Sequence, residues 1–133
     1  MKKRNKIIAV VLIVIIGVVI AAAVTKSYLA KNLEQLANVT VANVDLARIE
    51  DGIYLGSYSS FPVAAEVKVT VKNHRITGID LVKHSNGQGA GAEVIPQKVL
   101  EAQTLKVDSI SGATYSSKVI LKAIEAALTS AIK

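Results

Sequence analysis

Residues 108–117 read DSISGATYSS. One acid, Asp108, leads a stretch with a single glycine and five hydroxyl side chains: Ser109, Ser111, Thr114, Ser116 and Ser117, with the phenol of Tyr115 among them. An apolar run of helical period follows, so the stretch prepares a helix start. One hydroxyl is enough to cap a helix N-terminus, and the surplus has two readings. In the first, the cap is over-provided. In the second, the unpaired N–H groups and the positive end of the helix dipole hold an anion such as phosphate. The hydroxyls then add donors, and the small residues Gly112 and Ala113 let a large group approach the backbone. Asp108 is at odds with a bare phosphate site, because a carboxylate repels one. It suits a base or metal ligand acting during a reaction at a neighbouring hydroxyl.

A second glycine motif, GQGAGA at 87–92, has the spacing G-x-G-x-x-A between a predicted strand and a predicted helix. That is the form of a dinucleotide-binding loop. Such a loop needs parallel βαβ units, however, and the strands before it read as an antiparallel hairpin. Gly87 and Gly89 are therefore read as part of a flexible loop that touches a ligand or as a plain connection. His84, just before the loop, stands alone at a strand end, where a surface position is the ordinary expectation.

Several elements must position these residues. In AAEVKVTVK, Ala65, Val67, Val69 and Val71 alternate with Glu66, Lys68, Thr70 and Lys72, the pattern of a strand with one buried face. Asn73 and His74 form a two-residue hairpin turn, with Asn tolerating positive φ. RITGIDLVKH returns as the partner strand. Its apolar phase shifts between Ile76 and Ile79, and Gly78 sits where a bulge restores it. A shorter strand over Ile53–Ser57 precedes these, with Gly56 permitting a bulge or a close approach. EVIPQKVLEAQ reads as a short helix with Pro96 near its start. From Ser116 to Ile132 a second helix carries one stripe: Ser117, Ile120, Leu121, Ile124, Ala127, Leu128 and Ala131. The fold class is α+β, a small antiparallel sheet packed with two helices over 51–133.

Ahead of that domain the composition changes. Residues 7–24, IIAVVLIVIIGVVIAAAV, hold no charged or strongly polar side chain. As a helix they span roughly 27 Å, about the hydrocarbon thickness of a bilayer. Lys2, Lys3, Arg4 and Lys6 precede them, and that basic end stays cytoplasmic, leaving the rest of the chain outside. Residues 1–25 are thus a basic segment and transmembrane anchor, and 26–50 a stalk or linker. A cleavable signal peptide with Ala21, Ala22 and Ala23 near its cleavage site is the competing reading; export follows from both. The chain has no cysteine, which excludes a disulfide framework and a lipid-modified cysteine. Of sixteen Lys and Arg, four lie in the first six residues, and the other twelve face ten acids. The exported part carries only +2, without a basic cluster, so nucleic acid is not an expected partner.

The stretch from Asp108 to Ser117 resembles the flavinylation motif of the FMN-binding domain family, whose members include subunits of the sodium-pumping NADH:quinone oxidoreductase and of the Rnf complex. Three landmarks accompany it in order: DGIYLGSY, the hairpin VTVKNHRITGIDLVKH, and the glycine loop after His84. Together they cover about residues 50–130. Ser109 stands where Gly or Ala is commoner, and Ser116 where Thr is; neither departure removes the acceptor hydroxyl. The chain is far shorter than the respiratory subunits, so it is not assigned to either complex.

The resemblance implies that Thr114 carries FMN as a phosphoester, donated from FAD by a separate flavin transferase, and that Asp108 helps activate Thr114. Ser116 and Ser117 then hold phosphate oxygens, and Ser111, Gly112 and Ala113 line the approach. His84, Gly87 and Gly89 lie near the flavin, and Tyr115 stacks on it or covers core. The implied protein is a membrane-anchored, extracytoplasmic electron carrier with no catalytic residue and no resident metal of its own. Its expected partners are the lipid bilayer, the transferase, a membrane quinol or dehydrogenase as donor, and an extracytoplasmic acceptor. The alternatives are an FMN-binding sensor or structural module without electron transfer, and a ligand-binding module without flavin.

Overall fold

The computed structural model describes residues 1–85 and 90–132. The chain divides into two compact units, Met1–Asn32 and Leu33–Lys133. The long helix α1 (Lys2–Ala37) supplies the first unit and begins the second. Within the first unit every residue from 1 to 28 is exposed. An 18-residue window of α1 has a mean hydropathy of 3.5, and its length and composition suffice to cross a membrane. A helix that is apolar all round and uncovered by protein belongs in lipid, so α1 is compatible with a single-pass anchor.

The second unit is built on a three-stranded antiparallel sheet in the order β1-β2-β3, with β1 (Gly52–Ser60), β2 (Val63–Lys72) and β3 (Arg75–Ser85). Val63, Ala65, Val67, Val69 and Val71 of β2 are all buried, as the alternation predicts. Asn73 and His74 have φ of 52° and 59°, the two consecutive positive values that a tight hairpin turn requires. The turn is held from outside: the Asn73 N–H donates to Asp51 Oδ1 at 2.7 Å, and His74 Nδ1 donates to the Ile49 carbonyl at 3.0 Å.

Two irregularities set the phase of β3. The register passes from Val71↔Ile76 to Thr70↔Gly78, leaving Thr77 unpaired beside the glycine. It passes again from Val67↔Leu81 to Glu66↔Lys83, leaving Val82 unpaired. Each extra residue moves the following side chains to the opposite face. The result puts Ile76, Ile79, Leu81 and His84 opposite the buried residues Val71, Val69, Val67 and Ala65.

After the undescribed residues a 3₁₀ turn (Ala90–Val94) leads into α2 (Ile95–Ala102), whose start holds Pro96. Helix α2 packs along β3. Gln103 ends it in the left-handed region at φ 55°. Its amide accepts from the Ile76 N–H at 2.9 Å and donates to the Ile76 carbonyl at 2.8 Å, satisfying the edge strand beside the Thr77 bulge.

Helix α3 (Thr114–Ser130) covers β1 and β2. All seven residues of its predicted stripe are buried, joined by Ser116, Val119 and Ala123. The closest approach is at Gly56, where a Cβ would sit 2.1 Å from the Ala123 carbonyl oxygen and 2.5 Å from the Ala127 nitrogen. Of the two roles open to Gly56, the close approach is the one realised.

The segment 38–50 departs from the expected stalk. Leu36 and Ile49 are buried in the core. Burying such side chains contributes about 1.5–3 kcal/mol each, more than the roughly 1 kcal/mol net of a single hydrogen bond. Hydrogen bonds then set the path: the Ala42 N–H donates to Glu125 Oε2 at 3.0 Å, and Asn43 Oδ1 accepts from Thr104 Oγ1 at 3.0 Å and from the Leu105 N–H at 3.1 Å. Residues 33–50 are therefore part of the folded domain, which begins well before the boundary at 51 expected from the turn signal there.

Candidate functional site

The loop after α2 closes into α3 through a short backbone lock. The Ala113 N–H donates to the Ile110 carbonyl at 2.9 Å. Gly112 between them has φ of +79°, a conformation that L side chains rarely adopt. Ala113 is the N-cap residue of α3, and no side chain caps the helix there. The first intrahelical bond runs from the Ser117 N–H to the Ala113 carbonyl at 2.9 Å. The amides of Thr114, Tyr115 and Ser116 thus have no acceptor within the helix, as at any helix start. Despite five nearby hydroxyls, no side chain caps them. An over-provided cap does not describe this site.

Each expected residue has a distinct place. Thr114 opens α3 and is exposed. With Tyr115, Gly112 and Ala37 it lines a cleft of about 310 Å³. Tyr115 is 39% exposed, so it lines the cleft and does not cover core. Asp108, Ser109 and Ser111 are exposed on the approaching loop, outside the lining of that cleft. Ser116 is 2% exposed, and its hydroxyl has no hydrogen-bond partner among the described residues.

Ser117 does not match a phosphate ligand. It is fully buried, its Oγ donates to the Ala113 carbonyl at 2.7 Å, and it accepts from the Ile110 N–H at 3.0 Å. Its hydroxyl is committed to holding the loop against the helix. A serine one position further round the helix points inward, and local spacing does not separate a hydroxyl that binds a ligand from one that binds backbone.

His84 is also placed differently from expectation. Its side chain is only 3% exposed, with Nδ1 at 3.2 Å from Glu93 Oε1. Glu93 belongs to the 3₁₀ turn, which touches the motif loop: a Cβ at Gly91 would lie 3.8 Å from Ile110 Cγ2 and 4.0 Å from Ala113 Cβ. His84 is thus linked through that turn to the residues just before Thr114. Gly87 and Gly89 lie outside the described residues. A second hollow of about 350 Å³, bordered by Tyr58, Ala65 and Lys83, contains none of the expected residues.

Two residues near Thr114 escaped the sequence reading. Ala37 reaches the cleft from the end of α1, which no local pattern announces. Lys118 donates to the carbonyls of Ala37 and Val39, and its position four residues after Thr114 was a legible sign that the two share a helix face.

The arrangement offers an exposed threonine, three uncapped first-turn amides, a buried hydroxyl unpartnered among the described residues and a glycine with open space around it. These suit an anionic group such as a phosphate. A family model described as the FMN-binding domain matches residues 62–129, just over half of the chain. The chain is 43% identical over 65 residues to the NADH:acrylate oxidoreductase of Vibrio harveyi, covering 47% of this chain and 6% of that protein. It is 29% identical over 82 residues to an uncharacterized protein of Treponema pallidum (strain Nichols), covering 59% of this chain and 23% of the other. It therefore spans less than a quarter of either relative. From the motif, the hairpin and the matched span together, the chain belongs to the FMN-binding domain family.

Proposed function

We propose that this protein carries FMN covalently on Thr114 and passes electrons outside the membrane to which α1 anchors it. The observation that carries the reading is the exposed Thr114 hydroxyl at the uncapped start of α3. Phosphate oxygens there accept from the amides of Thr114, Tyr115 and Ser116, aided by the positive end of the helix. The Ser116 hydroxyl, otherwise unpartnered, supplies a further donor. Gly112 keeps the approach open because no Cβ projects from it.

In attachment, Thr114 Oγ1 gives up its proton and bonds to the flavin-side phosphorus of FAD. The pyrophosphate P–O bond breaks and AMP leaves. A separate transferase catalyses this, and Asp108, exposed on the loop, is within that enzyme's reach to orient the hydroxyl. Ser117 keeps the loop in place throughout. FMN, once attached, supplies the redox chemistry; the chain positions it and leaves it accessible, with Tyr115 as the aromatic wall of the cleft. A covalent link fits export, since a carrier outside the membrane has no cytoplasmic flavin pool to rebind. The Vibrio relative is named as an oxidoreductase, which favours electron transfer over passive binding. A membrane quinol or dehydrogenase is the donor class, and an extracytoplasmic molecule the acceptor.

The test is co-expression with a flavin transferase. The wild type and Thr114→Ser gain one FMN that survives denaturation and fluoresces on a denaturing gel; Thr114→Ala gains none. Label persisting in Thr114→Ala moves the site to another hydroxyl. Membranes carrying the wild type reduce an external acceptor faster than those carrying Thr114→Ala. Equal rates leave an FMN-binding module without a carrier role.

A further inference from the structure

Lys118 lies one helical turn beyond Thr114, so both side chains rise from the same face of α3. Its ammonium donates to the carbonyl of Ala37 and, at 3.2 Å, to that of Val39. Ala37 is the last residue of α1 and lines the same cleft as Thr114. Helix α1 has no basic residue in its last turn, so its own side chains do not offset the partial negative charge of its terminal carbonyls. That charge opposes an anion in the cleft. Lys118, arriving from α3, offsets it at the carbonyl of Ala37, and so brings a full positive charge up to a residue of the cleft wall. An ammonium has three N–H donors, and the two carbonyls engage two of them.

We propose that Lys118 is a phosphate-binding residue, pairing its ammonium with the single negative charge of the FMN phosphodiester on Thr114 while it holds the end of α1 to α3. This rests on the reading of Thr114 as the attachment site. One side chain then joins cofactor charge to the docking of a segment, 33–61, that lies outside the matched family span. A lysine serving only as a cap for α1 has no effect on the phosphate.

The test uses the full-length chain in detergent with purified transferase and FAD. Lys118→Gln keeps an N–H donor for the Ala37 carbonyl and removes the charge; Lys118→Arg keeps the charge. At low salt Lys118→Gln flavinylates roughly tenfold more slowly than wild type, the loss of one charge-assisted hydrogen bond. Lys118→Arg stays within about threefold, and the deficit of Lys118→Gln shrinks as salt rises. The ³¹P resonance of the attached phosphodiester shifts between wild type and Lys118→Gln, a readout that transferase recognition does not move. Equal flavinylation rates for wild type and Lys118→Gln, or an unmoved ³¹P resonance, overturn the proposal, as does an arginine variant as slow as the glutamine one. A wild type that takes no label at all removes the Thr114 reading and this proposal together, and is recognised by the empty gel.

Discussion

The Ser117 hydroxyl accepts the backbone N–H of Ile110 at 3.0 Å, across seven residues of chain. The same oxygen donates to the Ala113 carbonyl at 2.7 Å, so one buried atom ties the motif loop to the helix it introduces. Ser117→Ala removes both contacts and leaves the Ile110 N–H without its acceptor. The cost is about 1–3 kcal/mol. A thermal melt of the full-length chain should fall by several degrees, with flavinylation slowed and not lost. Thr114→Ala should do the reverse, losing the label at an unchanged melting temperature because its side chain is exposed. A Ser117→Ala variant that melts like the wild type would show that the tie contributes nothing.

Gly56 is predicted to tolerate no side chain. The Cβ of Gly56→Ala would meet the Ala123 carbonyl oxygen at 2.1 Å, and that oxygen is helix backbone that cannot rotate away. Helix α3 must lift from β1 or β2 must shift, at a cost of about 1–3 kcal/mol or more. Chemical denaturation measures this. Gly78→Ala, whose nearest neighbours are Thr70 side-chain atoms at 3.9 Å, serves as the mild comparison. Equal losses for the two variants contradict the close approach.

Gly112 makes a different kind of prediction. A Cβ there meets nothing within 4 Å, so Gly112→Ala introduces no clash. The backbone φ of +79° still opposes an L side chain, by roughly 1–2 kcal/mol. That strain acts on the loop that presents Thr114, so the rate of flavinylation should fall more than global stability. Initial rates and melts on the same preparation separate the two; a rate unchanged by Gly112→Ala shows that this loop conformation is not needed for attachment.

The orientation of α1 is checked by labelling, since the chain has no cysteine of its own. Thr129→Cys, exposed near the end of α3, should react with an impermeant maleimide in spheroplasts. Asn5→Cys should react only after the membrane is opened. The opposite pattern reverses the topology, and an unreactive Thr129→Cys in spheroplasts removes the extracytoplasmic assignment.

What could be read from the chain alone was whatever repeats over a short distance. The alternation of β2, the turn at Asn73 and His74, the stripe of α3 and the apolar run of residues 7–24 each declare themselves within a few residues, because period and side-chain direction are tied to one backbone geometry. The motif from Asp108 to Ser117 was legible as chemistry for the same reason. The irregularity beside Gly78 was legible too, from the broken apolar phase around it, but side-chain direction beyond the second irregularity, at Val82, was not. Had β3 kept strict alternation past Leu81, Lys83 would face the core and His84 the solvent. The unpaired Val82 reverses that and buries His84. A bulge is stabilised by the fit of the whole strand against its neighbours, not by the residue that forms it. The same holds for Ser117, whose inward turn needs Ile110 brought back over the helix, and for residues 38–50, which show no sustained period and are held by a few distant contacts at Ile49, Asn43 and Lys118. Those contacts exist only once the sheet and α3 are in place, so tertiary packing decided that the end of α1 would help line the cleft beside Thr114.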